Sequence, residues 1–89
     1  MKRVRIVVAG KVQGVFFRAE TERTARSLGL SGFVQNQRDG TVYIEAQGEE
    51  EKLQLLTGWC RQGPGRAVVT QITVEEIPLA EEMVFCIRR

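Results

Sequence analysis

Residues 10–18 join an apolar stretch of the chain to a helical one, and their types suit the binding of an anion. Because this loop leads into a helix, its backbone amides converge at the positive end of the helix dipole. Gly14 permits backbone angles that other residues avoid, so successive amides can point into one concavity that fits a phosphate. The same residues are also consistent with an ordinary strand-to-helix turn that contains two glycines.

Arg18 favours the anion-binding interpretation over the ordinary turn. A cation near the start of a helix opposes the helix dipole and gains no stability there. A guanidinium in that place can instead form two parallel, charge-assisted hydrogen bonds to phosphate oxygens. The loop does not match the Gly-x-x-x-x-Gly-Lys-Ser/Thr nucleotide pattern and has no aspartate for magnesium. We therefore predict a phosphate site that differs from the nucleotide-binding loops.

The residue types that are missing restrict the chemistry of this site. The chain has no histidine, which excludes imidazole bases and histidine metal ligands. Val12 stands six residues before Arg18, where cysteine-dependent phosphatases carry their thiol, and the loop has no Ser, Thr or Asp. No phosphoenzyme can form on such a loop. Water must therefore attack phosphorus directly, oriented by a neutral polar side chain.

Asn36 is the candidate for that polar side chain, because it lies at the end of the second predicted strand. A polar residue that only leads into a hairpin explains Asn36 equally well. Neither asparagine nor arginine serves as a general acid or base at neutral pH, so the leaving group must depart without protonation. An acyl phosphate leaves as a stable carboxylate, whereas a simple monoester leaves as a poor alkoxide. These residues predict an activated mixed anhydride as the substrate.

The spacing of apolar residues predicts the elements that hold the site. Residues 3–9 alternate as a strand does, with Arg3 and Arg5 on the face opposite the apolar side chains. A first helix follows from Phe17 and ends at Gly29, and Asp39-Gly40 predicts a hairpin between strands at 31–37 and 41–47. The buried stripe of the second helix is predicted at Leu53, Leu56, Trp59 and Cys60. Residues 67–76 and 83–88 predict two further strands, the former with inward-facing Val68, Thr70, Ile72 and Val74.

This order of elements, βαββαβ plus one strand, predicts an α+β fold of the ferredoxin-like type. Such a sandwich has an antiparallel sheet with two helices on one face, here with a short extra edge strand. Right-handed crossovers make the first two strands parallel, which brings residues 10–18 and Asn36 to one edge of the sheet. The length of 89 residues, with 43% hydrophobic and 27% charged, leads us to expect one globular domain over residues 1–89.

Charge and cysteine content narrow the partners and the compartment. A net charge of +2 from 13 basic and 11 acidic residues creates no field that attracts nucleic acid or membranes. The N-terminus lacks the apolar stretch and cleavage site of a signal peptide, so we expect a cytoplasmic protein. Two cysteines, Cys60 and Cys86, are too few for a disulfide scaffold and are expected to be reduced.

Two stretches resemble the signatures of the acylphosphatase family. Residues 10–18, Gly-Lys-Val-Gln-Gly-Val-Phe-Phe-Arg, are similar to its phosphate-binding signature. Residues 28–36, continued by Asp39-Gly40-Thr41-Val42, are similar to its second signature, with Phe33 where many members carry tryptophan. The resemblance covers essentially the whole chain. It implies hydrolysis of the carboxyl-phosphate bond of a small acyl phosphate to a carboxylate and inorganic phosphate, with no cofactor and no metal.

The resemblance also implies roles for individual residues. Arg18 would bind the phosphate and stabilise the charge in transfer, and Asn36 would position the attacking water. The loop amides that would cradle the phosphoryl oxygens are those of Gln13, Gly14, Val15, Phe16 and Phe17. The expected partners are a small acyl phosphate and inorganic phosphate, the latter as product and competitive ligand, with no nucleic acid and no membrane. The protein is expected to be a monomer.

Two alternatives belong to other functional classes. The same order of elements serves RNA-binding modules, although Arg3, Arg5 and Tyr43 do not form the aromatic platform that stacks on bases. A non-catalytic anion sensor or accessory domain is the second alternative, because similar modules occur within larger carbamoyl-transferring maturation proteins. Turnover of an acyl phosphate distinguishes the enzyme from both.

Overall fold

The computed structural model describes residues 1–89, which form a five-stranded sheet and two helices. The elements in chain order are β1 (Lys2–Lys11), α1 (Phe17–Ser27), β2 (Ser31–Asn36), β3 (Val42–Gly48), α2 (Glu50–Cys60), β4 (Val68–Ile77) and β5 (Phe85–Arg88). The strand order is β4-β1-β3-β2-β5, and neighbours are antiparallel except for β2 and β5, which are parallel. The predicted ferredoxin-like α+β fold is confirmed, and its short extra strand lies at the edge beside β2. Neither helix has the length and apolar content needed to cross a membrane.

One face of the sheet carries the core. Alternate residues of β1 and β3, among them Ile6 and Ile44, are fully buried there, as the period-two pattern of the strands requires. Both helices pack on this face and contribute to a single cluster of buried apolar side chains. The stripe predicted for α2 is buried at Leu53, Leu56 and Cys60, while Trp59 is half-buried and packs on Phe17 with ring centroids 5.4 Å apart.

The topology brings the predicted site residues to one edge of the sheet. Strands β1 and β2 both run antiparallel to β3, which lies between them, so they point in the same direction. Their carboxyl ends therefore meet at the same edge, as the crossover rule predicts. One of these ends leads into the loop before α1, and the other is Asn36.

Of the inward-facing residues predicted for β4, only Ile72 packs against the core. Val68, Thr70 and Val74 are exposed, and the positions of β4 that pack against the core are Val69 and Ile72. The register between β1 and β4 shifts between Ala9 and Gly10, which is the mark of a β-bulge. In addition, β4 is an edge strand, so a residue can point to the helical face without being covered by a helix.

Arg3 lies on the sheet face opposite the helices, as its strand pattern predicts, but it is only 2% exposed. Its guanidinium bonds to Glu45 of β3 and to Glu82 of the segment between β4 and β5. The same segment is fixed by Gln47, which donates to the carbonyl of Ala80 at 3.0 Å and accepts from its amide at 2.9 Å. Residues 78–84 therefore fold back over part of the open face of the sheet.

Candidate active site

The loop between β1 and α1 has an alternating backbone conformation. Gly14 and Phe16 have positive φ angles of 74° and 65°, whereas Val15 between them does not. Such alternation turns successive amides to the same side and creates an anion-binding concavity. The left-handed region is rare for an aromatic residue and costs of order 1–3 kcal/mol, so the surroundings must hold Phe16 in it. Val15 and Phe17, on either side, are 4% and 1% exposed and anchor the loop in the core.

The amides of this loop have no partner within the protein. The N–H groups of residues 13–17 donate neither to a backbone carbonyl nor to a side chain. No side chain caps the first turn of α1, which begins at Phe17. These donors lie at the positive end of the helix dipole, where an external anion is the natural acceptor. The structure thus places all five predicted cradle residues in one turn with their amides available.

A cavity of about 330 Å³ adjoins this turn and is lined by residues of the loop, α1, β2 and β5. The loop and the first turn of α1 contribute Gly14, Phe16 and Arg18, and β2 contributes Asn36. The two predicted site side chains, Arg18 and Asn36, therefore share one cavity. Their common cavity follows from the parallel direction of β1 and β2, because Arg18 follows the loop that leaves the end of β1 and Asn36 is the last residue of β2.

Arg18 is the one arginine of α1 that takes part in no ion pair. The other two, Arg23 and Arg26, lie 3.7 and 3.4 Å from Glu20 and Glu22 on the same helix. Arg18 is half-buried, and no carboxylate side chain lines its cavity. Its positive charge is therefore not neutralised by the protein and remains available to an anionic ligand.

Asn36 carries the single buried side-chain polar atom of the chain without a hydrogen-bond partner. This atom is Oδ1, the carbonyl oxygen of the carboxamide. Leaving a buried acceptor unpaired costs about 1–3 kcal/mol, so such an atom calls for an explanation beyond folding. Because Oδ1 can only accept, it suits the O–H group of a water molecule or a ligand hydroxyl.

Among the cavity residues that sequence reasoning missed are Ile87 and Arg89. They reach it because β5 pairs in parallel with β2, in the register that sets Gln35 opposite Arg88. No local pattern in the sequence predicts that pairing.

Cys60 behaves as predicted for a packing residue, since it is buried and forms no disulfide. Burial raises the pKa of its thiol to about 12. The chain contains no group of three or more Cys, Asp or Glu side chains that could together hold a metal ion.

Fold and cavity together indicate a hydrolase that handles a phosphoryl group, and comparison with known proteins identifies the family. The acylphosphatase family model matches residues 4–87. The acylphosphatase of Marinobacter nauticus is 49% identical over 82 residues, which are 92% of this chain and 89% of that protein. The chain belongs to the acylphosphatase family. The family membership and the acyl phosphate hydrolase activity predicted from the two motifs are thereby confirmed.

Solved structures agree with this assignment. The crystal structure of acylphosphatase from Bacillus subtilis has a TM-score of 0.97 with 38% identity, and the match covers 100% of both chains. An acylphosphatase structure from Coxiella burnetii has a TM-score of 0.95, also at 38% identity, and covers 98% of this chain and 92% of that one. Both the fold and the order of its elements are therefore those of the family.

Proposed function

We propose that this protein hydrolyses small acyl phosphates by direct attack of water on phosphorus, releasing a carboxylate and inorganic phosphate. One observation carries the proposal: Asn36, whose buried Oδ1 has no hydrogen-bond partner, lines the same cavity as Arg18, next to the row of free amides. A side chain that carries an unpaired acceptor for water thus shares a cavity with donors for an anion. A site that only bound phosphate would gain nothing from a buried, unsatisfied acceptor.

The amides of residues 13–17 and the guanidinium of Arg18 bind the non-bridging oxygens of the phosphoryl group. In phosphoryl transfer the negative charge is spread over these oxygens in the transition state, so fixed donors aimed at them lower the barrier. The buried anchors Val15 and Phe17 keep the amides in place before the substrate arrives. This preorganisation is why main-chain donors can replace a cation such as magnesium in the proposed mechanism, which needs no cofactor.

Asn36 positions the attacking water. Its Oδ1 accepts a hydrogen bond from one O–H, which turns a lone pair of the water toward phosphorus. A bond then forms between the water oxygen and phosphorus, and the bond between phosphorus and the carboxyl oxygen breaks with its electron pair. The carboxylate leaves without protonation, and a phosphate oxygen accepts the proton from the water. No side chain acts as general acid or base.

The remaining features of the proposal concern the partners. The cavity has room for a small acyl group beside Phe16, which is 74% exposed, and inorganic phosphate competes for the same amides. We propose a cytoplasmic monomer with no nucleic-acid or membrane partner. The small net charge supports this, as does the polar network of Arg3 on the sheet face that RNA-binding modules use for stacking.

Isotope labelling with a substrate comparison tests the mechanism. Benzoyl phosphate should be hydrolysed rapidly, phenyl phosphate should not, and turnover should persist in excess chelator. In water enriched in ¹⁸O, the label should appear in inorganic phosphate, because the attack is on phosphorus. Label in benzoate, equal turnover of the monoester or loss of activity with chelator would each contradict the proposal. Phosphate binding without any turnover would favour the anion sensor.

A further inference from the structure

The side chain of Gln13 joins the anion-binding loop to the β2–β3 hairpin. Its Nε2 donates to the carbonyl of Gln37 at 2.7 Å and to the carbonyl of Thr41 at 2.9 Å. Both N–H groups of the carboxamide are thus used, and both acceptors lie at the neck of the hairpin, where the amide of Gln37 also donates to the carbonyl of Thr41. This is a contact between segments that are 24 and 28 residues apart in the chain.

The two segments joined in this way carry the two halves of the site. Gln13 is the first residue of the row of unpartnered amides, and Gln37 directly follows Asn36. No other side-chain hydrogen bond connects residues 12–17 with residues 36–42. The loop and the end of β2 belong to different elements, so their separation is not fixed by the main chain alone.

We propose that Gln13 is a positioning residue, whose side chain sets the distance between the phosphoryl-binding amides and the carboxamide of Asn36. The inference rests on the proposed function and assigns the Gln13 side chain no contact with the substrate. A displacement of about 1 Å between a bound reactant and the group that orients its partner can cost on the order of 100-fold in rate. Phosphate affinity depends less on this distance, because Val15 and Phe17 hold the loop amides independently.

The hairpin offers a matched control for a purely structural effect. The side chain of Gln37 donates from Nε2 to Oγ1 of Thr41 at 2.9 Å, within the same hairpin neck. Gln37→Met therefore removes a hydrogen bond of similar length and burial without touching the loop. Gln13→Met makes the same glutamine-to-methionine change but removes both hydrogen bonds that link the loop to the hairpin.

Steady-state kinetics with benzoyl phosphate compares the two variants. Gln13→Met should lower kcat by about 10- to 100-fold, with a change of less than about threefold in the inhibition constant of inorganic phosphate. Gln37→Met should keep kcat within about twofold of the unaltered protein. Gln13→Lys restores donors of sufficient reach and should recover part of the lost kcat, which also keeps the test valid should Gln13→Met fail to fold.

A double variant tests whether Gln13 acts through Asn36. In the Asn36→Ala background, Gln13→Met should lower kcat by less than about twofold, because the group that it positions has been removed. Multiplicative losses in the double variant, an unchanged kcat for Gln13→Met or an equal loss for Gln37→Met would each overturn the inference. If the unaltered protein failed to turn over benzoyl phosphate, the proposed function would fail instead, so the two failures are distinguishable.

Discussion

Arg3 and Arg18 are residues of one type in opposite surroundings. Arg3 is 2% exposed and donates to Glu45 at 3.0 and 2.8 Å, to Glu82 and to Gln47. Arg18 is half-buried and has no carboxylate partner, but lies beside amides that have no partner either. The first arginine ties β1, β3 and the segment before β5 together, whereas the second has its charge available. The ion-pair environment, and not the residue type, separates the structural arginine from the one proposed for catalysis.

In the Arg3 network, hydrogen bonds between opposite charges oppose the cost of burying them. Burial works against the charge of Arg3, but its hydrogen bonds to Glu45 and Glu82 outweigh that effect and raise its pKa. Burial likewise opposes the charge of Glu45, and hydrogen bonds from Tyr43 and Arg3 outweigh it and lower the pKa of the carboxyl. Each charge in the network therefore depends on the others for its compensation.

Arg18→Met should have the largest effect on activity. We expect turnover of benzoyl phosphate to fall by about 10³-fold or more, because the cation proposed to stabilise the charge in transfer is lost. The free energy of unfolding should not decrease, since no ion pair breaks and a cation leaves the positive end of a helix. Measurement of kcat/KM together with urea unfolding checks both statements. Retained activity, or a loss of stability, would place Arg18 in the same class as Arg3.

Asn36→Ala should reduce turnover by a comparable factor, about 10³-fold, through a different step. Phosphate should inhibit the variant almost as strongly as the unaltered protein, because the proposed role of Asn36 is to orient water and not to hold the anion. The variant should also be no less stable, since its removal relieves an unpaired buried acceptor. Competitive inhibition by inorganic phosphate is the deciding measurement, and an equal loss of affinity and turnover would contradict the water-positioning role.

Arg3→Met makes the same arginine-to-methionine change at the arginine that forms ion pairs. It should lower the free energy of unfolding by about 2–3 kcal/mol, less than for a fully buried pair. The reason is that Glu45 and Glu82 remain 21% exposed, so water partly solvates the carboxylates that lose their partner. The kcat of the folded variant should match that of the unaltered protein. Urea unfolding and kinetics below the transition separate this outcome from a catalytic effect of Arg3.

Local and topological rules explain what could be predicted from the sequence. The alternation in β1 separates Arg3 from the core face, and glycine and arginine around the loop predict the anion site before any contact is known. The direction of β2 follows from the handedness of the crossover, which places Asn36 beside the loop. These rules require only neighbouring residues and the order of elements, so they can be applied without knowledge of side-chain contacts.

The features that were not predicted depend on contacts between distant parts of the chain. Arg3 is buried only because residues 78–84 fold back over it, and Arg89 joins the cavity only because β5 pairs with β2. The face of the first residues of β4 is shifted by the bulge beside Gly10, whose φ is 127° and where a Cβ atom would collide with the carbonyl oxygen of Val68. A regular period-two pattern cannot show such an irregularity. The double hydrogen bond of Gln13 is likewise a long-range contact.

Glu45→Gln should have a smaller effect, because it removes a contribution to the free energy of unfolding that is present near neutral pH and is lost in acid. The folded protein lowers the pKa of Glu45 below its ordinary value of 4.5, so its charge stabilises the fold fully above that pH. This contribution is lost as the pH falls through the lowered pKa, which makes the free energy of unfolding decrease below about pH 4.5. In the Glu45→Gln variant, the free energy of unfolding should therefore fall less steeply as the pH is lowered. Urea unfolding between pH 6 and pH 3 measures the difference.

Glu50→Gln is the matched control for this pH dependence. The hydrogen bond and the charge of Lys2 also lower the pKa of Glu50, but this carboxyl is 60% exposed and solvent screens the pair. The contribution of Glu50 to the fall in the free energy of unfolding at low pH should therefore be small and should disappear in 1 M salt. The contribution of Glu45 should persist in 1 M salt, because its partner Arg3 is buried. Equal salt sensitivity of the two slopes would mean that Arg3, despite its burial, contributes no more than a surface pair.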